Sequence, residues 1–259
     1  MFCKPIKFYD MKKYAKALAI FGFVILVAIV LAVSLRTVTP SSGPAAGNAN
    51  EAIDYSNLNP GSMITLPDPT TSGGMSLTEA LSLRRSIRSY RDAPLSQTEV
   101  SQLLWSAQGF TNERGFRTAP SAGATFPLEI FLMVNNVEGL KAGIYHYLPA
   151  DNALEFLREG APAAELARAC LSQSMISDGG AVLIFAADFD RTTGRYGERG
   201  IRYVHNEIGH ASQNVHLQAA ALDLGTVVIG AYRDEEVEEI LNLDDELRVL
   251  YLMPVGRMP

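Results

Sequence analysis

From residue 199 to residue 224 the chain carries apolar residues at steps of three and four: Ile201, Val204, Ile208, Ala211, Val215, Ala219 and Leu222. That period describes a helix. Leu217, Ala221 and Leu224 make its second half apolar on the other side too. A helix apolar all round must be buried in a core or an interface. The chain therefore needs layers to pack around it, and 259 residues suffice to build them. With 47% hydrophobic and 19% charged residues, the composition excludes a disordered or collagen-like chain.

The flanking elements alternate. Ser76-Leu-Thr-Glu79 and Ser96-Gln-Thr-Glu99 are capping-box patterns, each predicting a helix start. The first helix is expected to carry the basic stretch Arg84-Arg85-Ser86-Ile87-Arg88, and Gly109 is placed to end the second. Buried strands are expected over 128–134 and 181–187, and a hairpin over 143–157 around Pro149-Ala-Asp-Asn152. Helices are expected over 162–173 and from Asp234 to Leu241, with strands over 226–232 and 248–255. Alternation with hairpin character in the middle favours a layered α+β domain over an all-parallel sheet.

The segment Ala17–Leu35 carries no charge and is long enough to span a membrane as a helix. Lys4, Lys7, Lys12, Lys13 and Lys16 precede it, which places residues 1–16 in the cytoplasm and the rest outside. Cleavage as a signal peptide, giving a secreted form, is the alternative, although no clean small-x-small site closes the run. Residues 36–75 have a linker composition, and the folded domain is expected over 76–259.

The net charge of −6 argues against nucleic-acid binding. Cys3 and Cys170 cannot form a disulfide scaffold or a cysteine-based zinc site. Glu207-Ile-Gly-His210 resembles half of a di-iron site but has no second copy. His205, His210 and His216 do not share a helix face, so they read as polar surface or interface residues, and no metal is expected. Neither a glycine-rich nucleotide fingerprint nor a nucleophile elbow is present. The basic stretch at 84–91 is either a solvated face or an anion site. The glycine-punctuated loop 120–124 and Val255-Gly-Arg257 could complete the latter.

Four ordered segments resemble the nitroreductase family of FMN flavoproteins. They are Arg84–Arg88, Pro120-Ser-Ala-Gly-Ala-Thr-Phe-Pro-Leu-Glu129, Gly209-His-Ala-Ser-Gln-Asn214 running to Leu224-Gly-Thr-Val-Val-Ile-Gly230, and Pro254-Val-Gly-Arg257. The Pro-Ser-Ala-Gly segment and Gly143-Ile-Tyr-His-Tyr147 look most like the SagB-type subfamily, which includes thiazoline and oxazoline dehydrogenases acting on peptides. The resemblance implies a layered α+β sandwich with a central, mainly antiparallel sheet and a long buried helix, here preceded by one transmembrane helix. It also implies a homodimer with FMN at its interface.

Carried over by residue, Arg84, Arg85, Ser86 and Arg88 would hold phosphate, ribityl and pyrimidine groups, and Arg257 would complete the phosphate site. Pro120, Ser121, Ala122 and Gly123 would pass along the flavin from the partner subunit. Ile229 and Gly230 would bring backbone to the N5 edge, and Asn214 is a further candidate. The implied activity is hydride transfer through flavin N5 between a reduced donor, NAD(P)H, and a small-molecule or peptide acceptor, with Tyr196 as an accessory proton donor. The alternatives are a SagB-type azoline dehydrogenase and a non-catalytic, membrane-tethered flavin-binding module. Two departures stand out. Asp223 occupies a position where glycine is common, and Arg195-Tyr196 stands where some azoline oxidases have Lys-Tyr.

Overall fold

The computed structural model describes residues 58–259. The expected membrane helix at 17–35 lies outside them. Among the described residues no helix is long and apolar enough to cross a membrane.

The strands are β1 (Met63–Thr65), β2 (Leu128–Val134), β3 (Gly143–Leu148), β4 (Ala153–Glu159), β5 (Ala181–Asp188), β6 (Leu224–Thr226) and β7 (Leu247–Arg257). They form one sheet in the order β1-β4-β3-β2-β5-β7-β6. Every neighbouring pair is antiparallel. The helices are α1 (Leu77–Leu83), α2 (Gln97–Gln108), α3 (Ala163–Ala169), α4 (Met175–Asp178), α5 (Asp190–Tyr196), α6 (Arg199–Ala221) and α7 (Asp234–Leu241).

The sheet is covered on both faces, and β5 shows why it reads as an unbroken apolar run. Leu183 and Phe185 join the cluster under α2 and α6, with Leu104, Ile208, Ala211 and Val215. Val182 and Ile184, one step out of phase, join the cluster under α3, α4 and α7, with Leu166, Ile176 and Val237. Period-two alternation divides one strand between two cores.

Several expectations shift. The first helix stops at Leu83, and the basic stretch does not continue it. Instead the Ile87 N–H donates to the Thr226 carbonyl and the Arg91 N–H to that of Arg257, both at 3.0 Å, so the stretch runs extended beside β6 and β7. The helix over 162–173 breaks at Leu171 and Ser172, whose φ values are +57° and +61°. The strand over 226–232 is broken: β6 ends at Thr226, Ile229 makes one isolated antiparallel bridge to Leu252 of β7, and the segment then turns to α3, where the Arg233 N–H meets the Ala169 carbonyl. The expected linker contains β1, paired to β4, so ordered structure begins before residue 76. Finally, α6 is buried on one face only. Val204, Ile208, Ala211, Val215 and Ala219 face the core, while His205 and His210 are exposed and Ile201 is 46% exposed.

Candidate functional site

The basic stretch is held against the sheet edge by two glycines. A Cβ on Gly225 would fall 2.7 Å from the Ile87 side chain, and one on Gly256 would fall 2.6 Å from the Tyr90 ring. The Tyr90 hydroxyl donates to the carbonyls of Ile87 and Pro254, which pins the stretch from its far end. Among the described residues, the side chains of Arg84, Ser86 and Arg88 make no hydrogen bond or ion pair. Two guanidinium groups and a hydroxyl without partners at one edge suit an anion, and a phosphate in particular. Arg85 is folded back on the carbonyls of Ser82 and Arg84. Arg257 does not join the group. It forks onto the Glu99 carboxylate at 2.5 and 3.0 Å and donates to the Pro94 carbonyl, so its expected phosphate role would require breaking that pair.

Behind the stretch lies a cavity of about 360 Å³ lined by Arg85, Ile87, His216, Ala220, Thr226 and Met258, among others. His216 is 8% exposed, and its Nδ1 has no partner. Burial, followed by the nearby charge of Arg84, pushes its pKa down to about 4, so the ring is neutral at pH 7.

The glycine-punctuated loop is built differently. The Ser121 Oγ accepts from the Phe126 N–H at 2.9 Å and closes a turn in which Gly123, Ala124 and Phe126 have φ of +61°, +54° and +44°. For non-glycine residues this conformation costs about 1–2 kcal/mol each. The loop is held from outside by Arg195, which donates to the Gly123 carbonyl, and by a 2.8 Å contact between the Thr125 and Thr192 hydroxyls. A Cβ on Gly123 would collide with the Tyr196 hydroxyl, so the loop glycine and the proposed proton donor lie together. Pro120 is exposed, and Ala122 opens the short turn.

Beneath the loop, Glu207 is 3% exposed. Gln108 donates to its carboxylate at 3.3 Å and in turn accepts from Arg117 at 3.2 Å. The Arg117 guanidinium stacks 4.2 Å from the Phe126 ring. Burial raises the Glu207 pKa, against the opposing pull of the Gln108 hydrogen bond and of Arg117. Sequence reasoning assigned Glu207 no role in the site and His216 only a polar surface or interface role. Both continue the buried face of α6, beside Ile208 and Val215, and that period was the available signal.

Two further candidates separate. Asn214 donates to the Thr118 carbonyl and lines a cleft of about 300 Å³ with Ala80 and Trp105. Ile229 does not present its backbone to a ligand. Its N–H donates to Leu252 at 2.8 Å and its carbonyl accepts from Leu252 at 3.0 Å, while its side chain is buried in the α3–α7 layer. Gly230 is exposed, and its N–H has no backbone partner among the described residues. The chain does not bring all candidates together. Ser121 sits over Glu207 and the basic stretch over Ala220, about 20 Å further along α6 at 1.5 Å per residue.

The sequence profile of the Nitroreductase family matches residues 81–257. The chain belongs to the nitroreductase family. This nitroreductase-family oxidoreductase is 47% identical to the MJ1384 protein of Methanocaldococcus jannaschii over 194 residues, 75% of this chain and 96% of that one. It is 34% identical over 143 residues to the microcin B17-processing protein McbC of Escherichia coli, covering 49% of each. Among solved structures it superposes on a nitroreductase-type protein of Ralstonia eutropha with a TM-score of 0.66 at 26% identity, covering 76% of this chain and 90% of that one. It also matches a chain of the E. coli microcin synthetase McbBCD complex with a TM-score of 0.61 at 25% identity, covering 85% of each. McbC bears out the SagB-type side of the resemblance.

Proposed function

We propose that this protein is an FMN-dependent oxidoreductase that moves hydride between NAD(P)H and an acceptor not yet identified. The observation that carries the reading is the unpartnered Arg84, Ser86 and Arg88 group at the sheet edge, which fits the FMN phosphate and ribityl chain. Bound there, the flavin supplies the hydride chemistry at N5. The chain's own residues bind and orient it. Gly230 offers an unpaired N–H on a backbone that a ligand can approach closely. Tyr196, whose hydroxyl lies beside Gly123, would supply a proton from the side of the loop.

A homodimer is part of this proposal. The 20 Å between loop and basic stretch suits a site that one copy's loop completes on the other. Leu77, Leu81 and Phe116, exposed by 66%, 54% and 61%, supply apolar surface for such a contact. Residues 17–35 would anchor the chain in the membrane, with the domain on the extracytoplasmic side. A second reading, azoline dehydrogenation on a peptide, is supported by the similarity to McbC. Against it, Arg195 stays protonated where a lysine could act as a base.

Denaturing the purified protein tests the cofactor. Release of FMN supports the reading, and a colourless protein that ignores added FMN overturns it. Stopped-flow mixing with NADH and NADPH then identifies the donor. Carbonate washing and protease added to intact cells test the anchor and its orientation.

A further inference from the structure

The extended stretch at 84–88 has two different sides. Arg84, Ser86 and Arg88 form the anion group, whereas Arg85 and Ile87, one step out of phase, line the cavity of about 360 Å³ behind it. That cavity is mostly apolar. Met75, Leu83, Ile87, Leu224 and Met258 supply its walls, and α6 closes it with Ala220 and, one turn earlier, His216. Its charges are on Arg85 and Asp223, one of each sign, both exposed residues. The Thr226 hydroxyl in the wall already donates to the Pro254 carbonyl. The His216 ring is the polar group left over. It is 8% exposed, and no described residue hydrogen-bonds its Nδ1. A buried ring nitrogen without a partner costs stability, so it marks a place where a bonding group from outside would be welcome.

We infer that this cavity is a second binding site, separate from the anion edge, for a neutral and mostly apolar molecule with one hydroxyl group, a simple phenol being the type. The walls take the ring, and the hydroxyl bonds Nδ1 of His216. A hydroxyl suits this nitrogen because it both donates and accepts, so it serves either tautomer of the neutral imidazole. Neutrality follows from the charges. Arg85 and Asp223 balance each other, and an ion would have to shed its water among apolar walls. The volume lies near the lower end of the range for small-molecule sites, about 300–1,000 Å³. The inference stands without the flavin reading, because the cavity lies on the Arg85 and Ile87 side of the stretch and not on the side assigned to FMN.

The test uses the full-length protein at pH 7, with and without saturating FMN, and follows 4-ethylphenol by isothermal titration and saturation-transfer NMR. Binding should be measurable, with ethylbenzene weaker by about fivefold for want of one hydrogen bond, and 4-ethylbenzoate weaker still. His216→Leu should reduce 4-ethylphenol to the level of ethylbenzene. His216→Asn, which returns a donor and an acceptor near the position of Nδ1, should recover most of the loss. Ala220→Leu, which fills the cavity from α6, should abolish binding of both compounds and leave FMN affinity as in wild type. The inference is overturned if 4-ethylphenol does not bind, if ethylbenzene binds as tightly, or if either His216→Leu or Ala220→Leu binds 4-ethylphenol like wild type. Displacement of 4-ethylphenol by FMN also overturns it, since the cavity would then be part of the flavin site. A protein that binds 4-ethylphenol in this way but takes up no FMN supports the inference and overturns only the flavin reading.

Discussion

The two ends of α6 handle buried polarity in opposite ways. Near its start, Glu207 accepts from Gln108, and Gln108 from Arg117, so the carboxylate is engaged within the chain although Arg117 Nε is left without a partner. Near its end, His216 leaves Nδ1 unpaired beside a cavity, with the free cations of the basic stretch close by. A satisfied acceptor fixes a shape, whereas an unsatisfied one leaves bonding capacity for something else. The carboxylate at the first end is committed to the fold, and the imidazole at the second has a ring nitrogen left open.

The largest test strikes both at once. Val215 is fully buried between the two regions, and Val215→Asp should cost several kcal/mol in urea unfolding. If the two ends were independent units, only one would melt early. Next, Arg84→Ala should weaken FMN binding about ten- to a hundredfold, the worth of a charge-assisted hydrogen bond, and leave the melting temperature nearly unchanged.

Acid separates the two ends by sign. His216 titrates at about 4 in the fold and near 6.5 unfolded, so the unfolded chain takes up its proton first. Its contribution is present above pH 6.5 and is lost as pH falls towards 4, by about 3 kcal/mol at most. Glu207, with its pKa raised above 4.5, does the reverse: its contribution is present below pH 4.5 and is lost as pH rises through the raised value. Stability profiles of His216→Leu and Glu207→Gln should therefore deviate from wild type in opposite directions. Profiles that shift the same way would erase the contrast. The smallest effect concerns Asp223, at φ +58° on the cavity rim. Asp223→Gly should stabilise the fold by up to about 1 kcal/mol, measured by thermal unfolding.

Much of this was readable from sequence where the signal is local. The Ser96 capping box formed as written, with Glu99 returning its bond to the Ser96 N–H. The position of Asp223, where a glycine is common, turned out to need a left-handed backbone. What stayed hidden depends on distant partners. Nothing local stops the first helix at Leu83; the partners that draw the basic stretch away are Thr226 and Arg257. Glu99 was legible as a cap but not as the partner of Arg257, 158 residues away. Helix α5 was missed because Thr192, Thr193 and Gly194 are poor helix formers, and Thr192 is held by Thr125 instead. Strand β1 is only three residues long in a Pro- and Gly-rich stretch and takes its form from β4.

The place of β7 has a consequence for how the molecule is made. It is the last of the seven described strands in the order of synthesis, yet it lies inside the sheet, between β5 and β6. Until it arrives, β5 has an open apolar edge, β6 has no neighbour, and the basic stretch lacks the carbonyls of Pro254 and Arg257 that secure it. A nascent chain cannot assemble the proposed anion site piecemeal; the edge stays sticky and the site unfinished until residue 257 has left the ribosome or any export channel. Chaperone dependence should accordingly be concentrated in that interval, on the β5 edge.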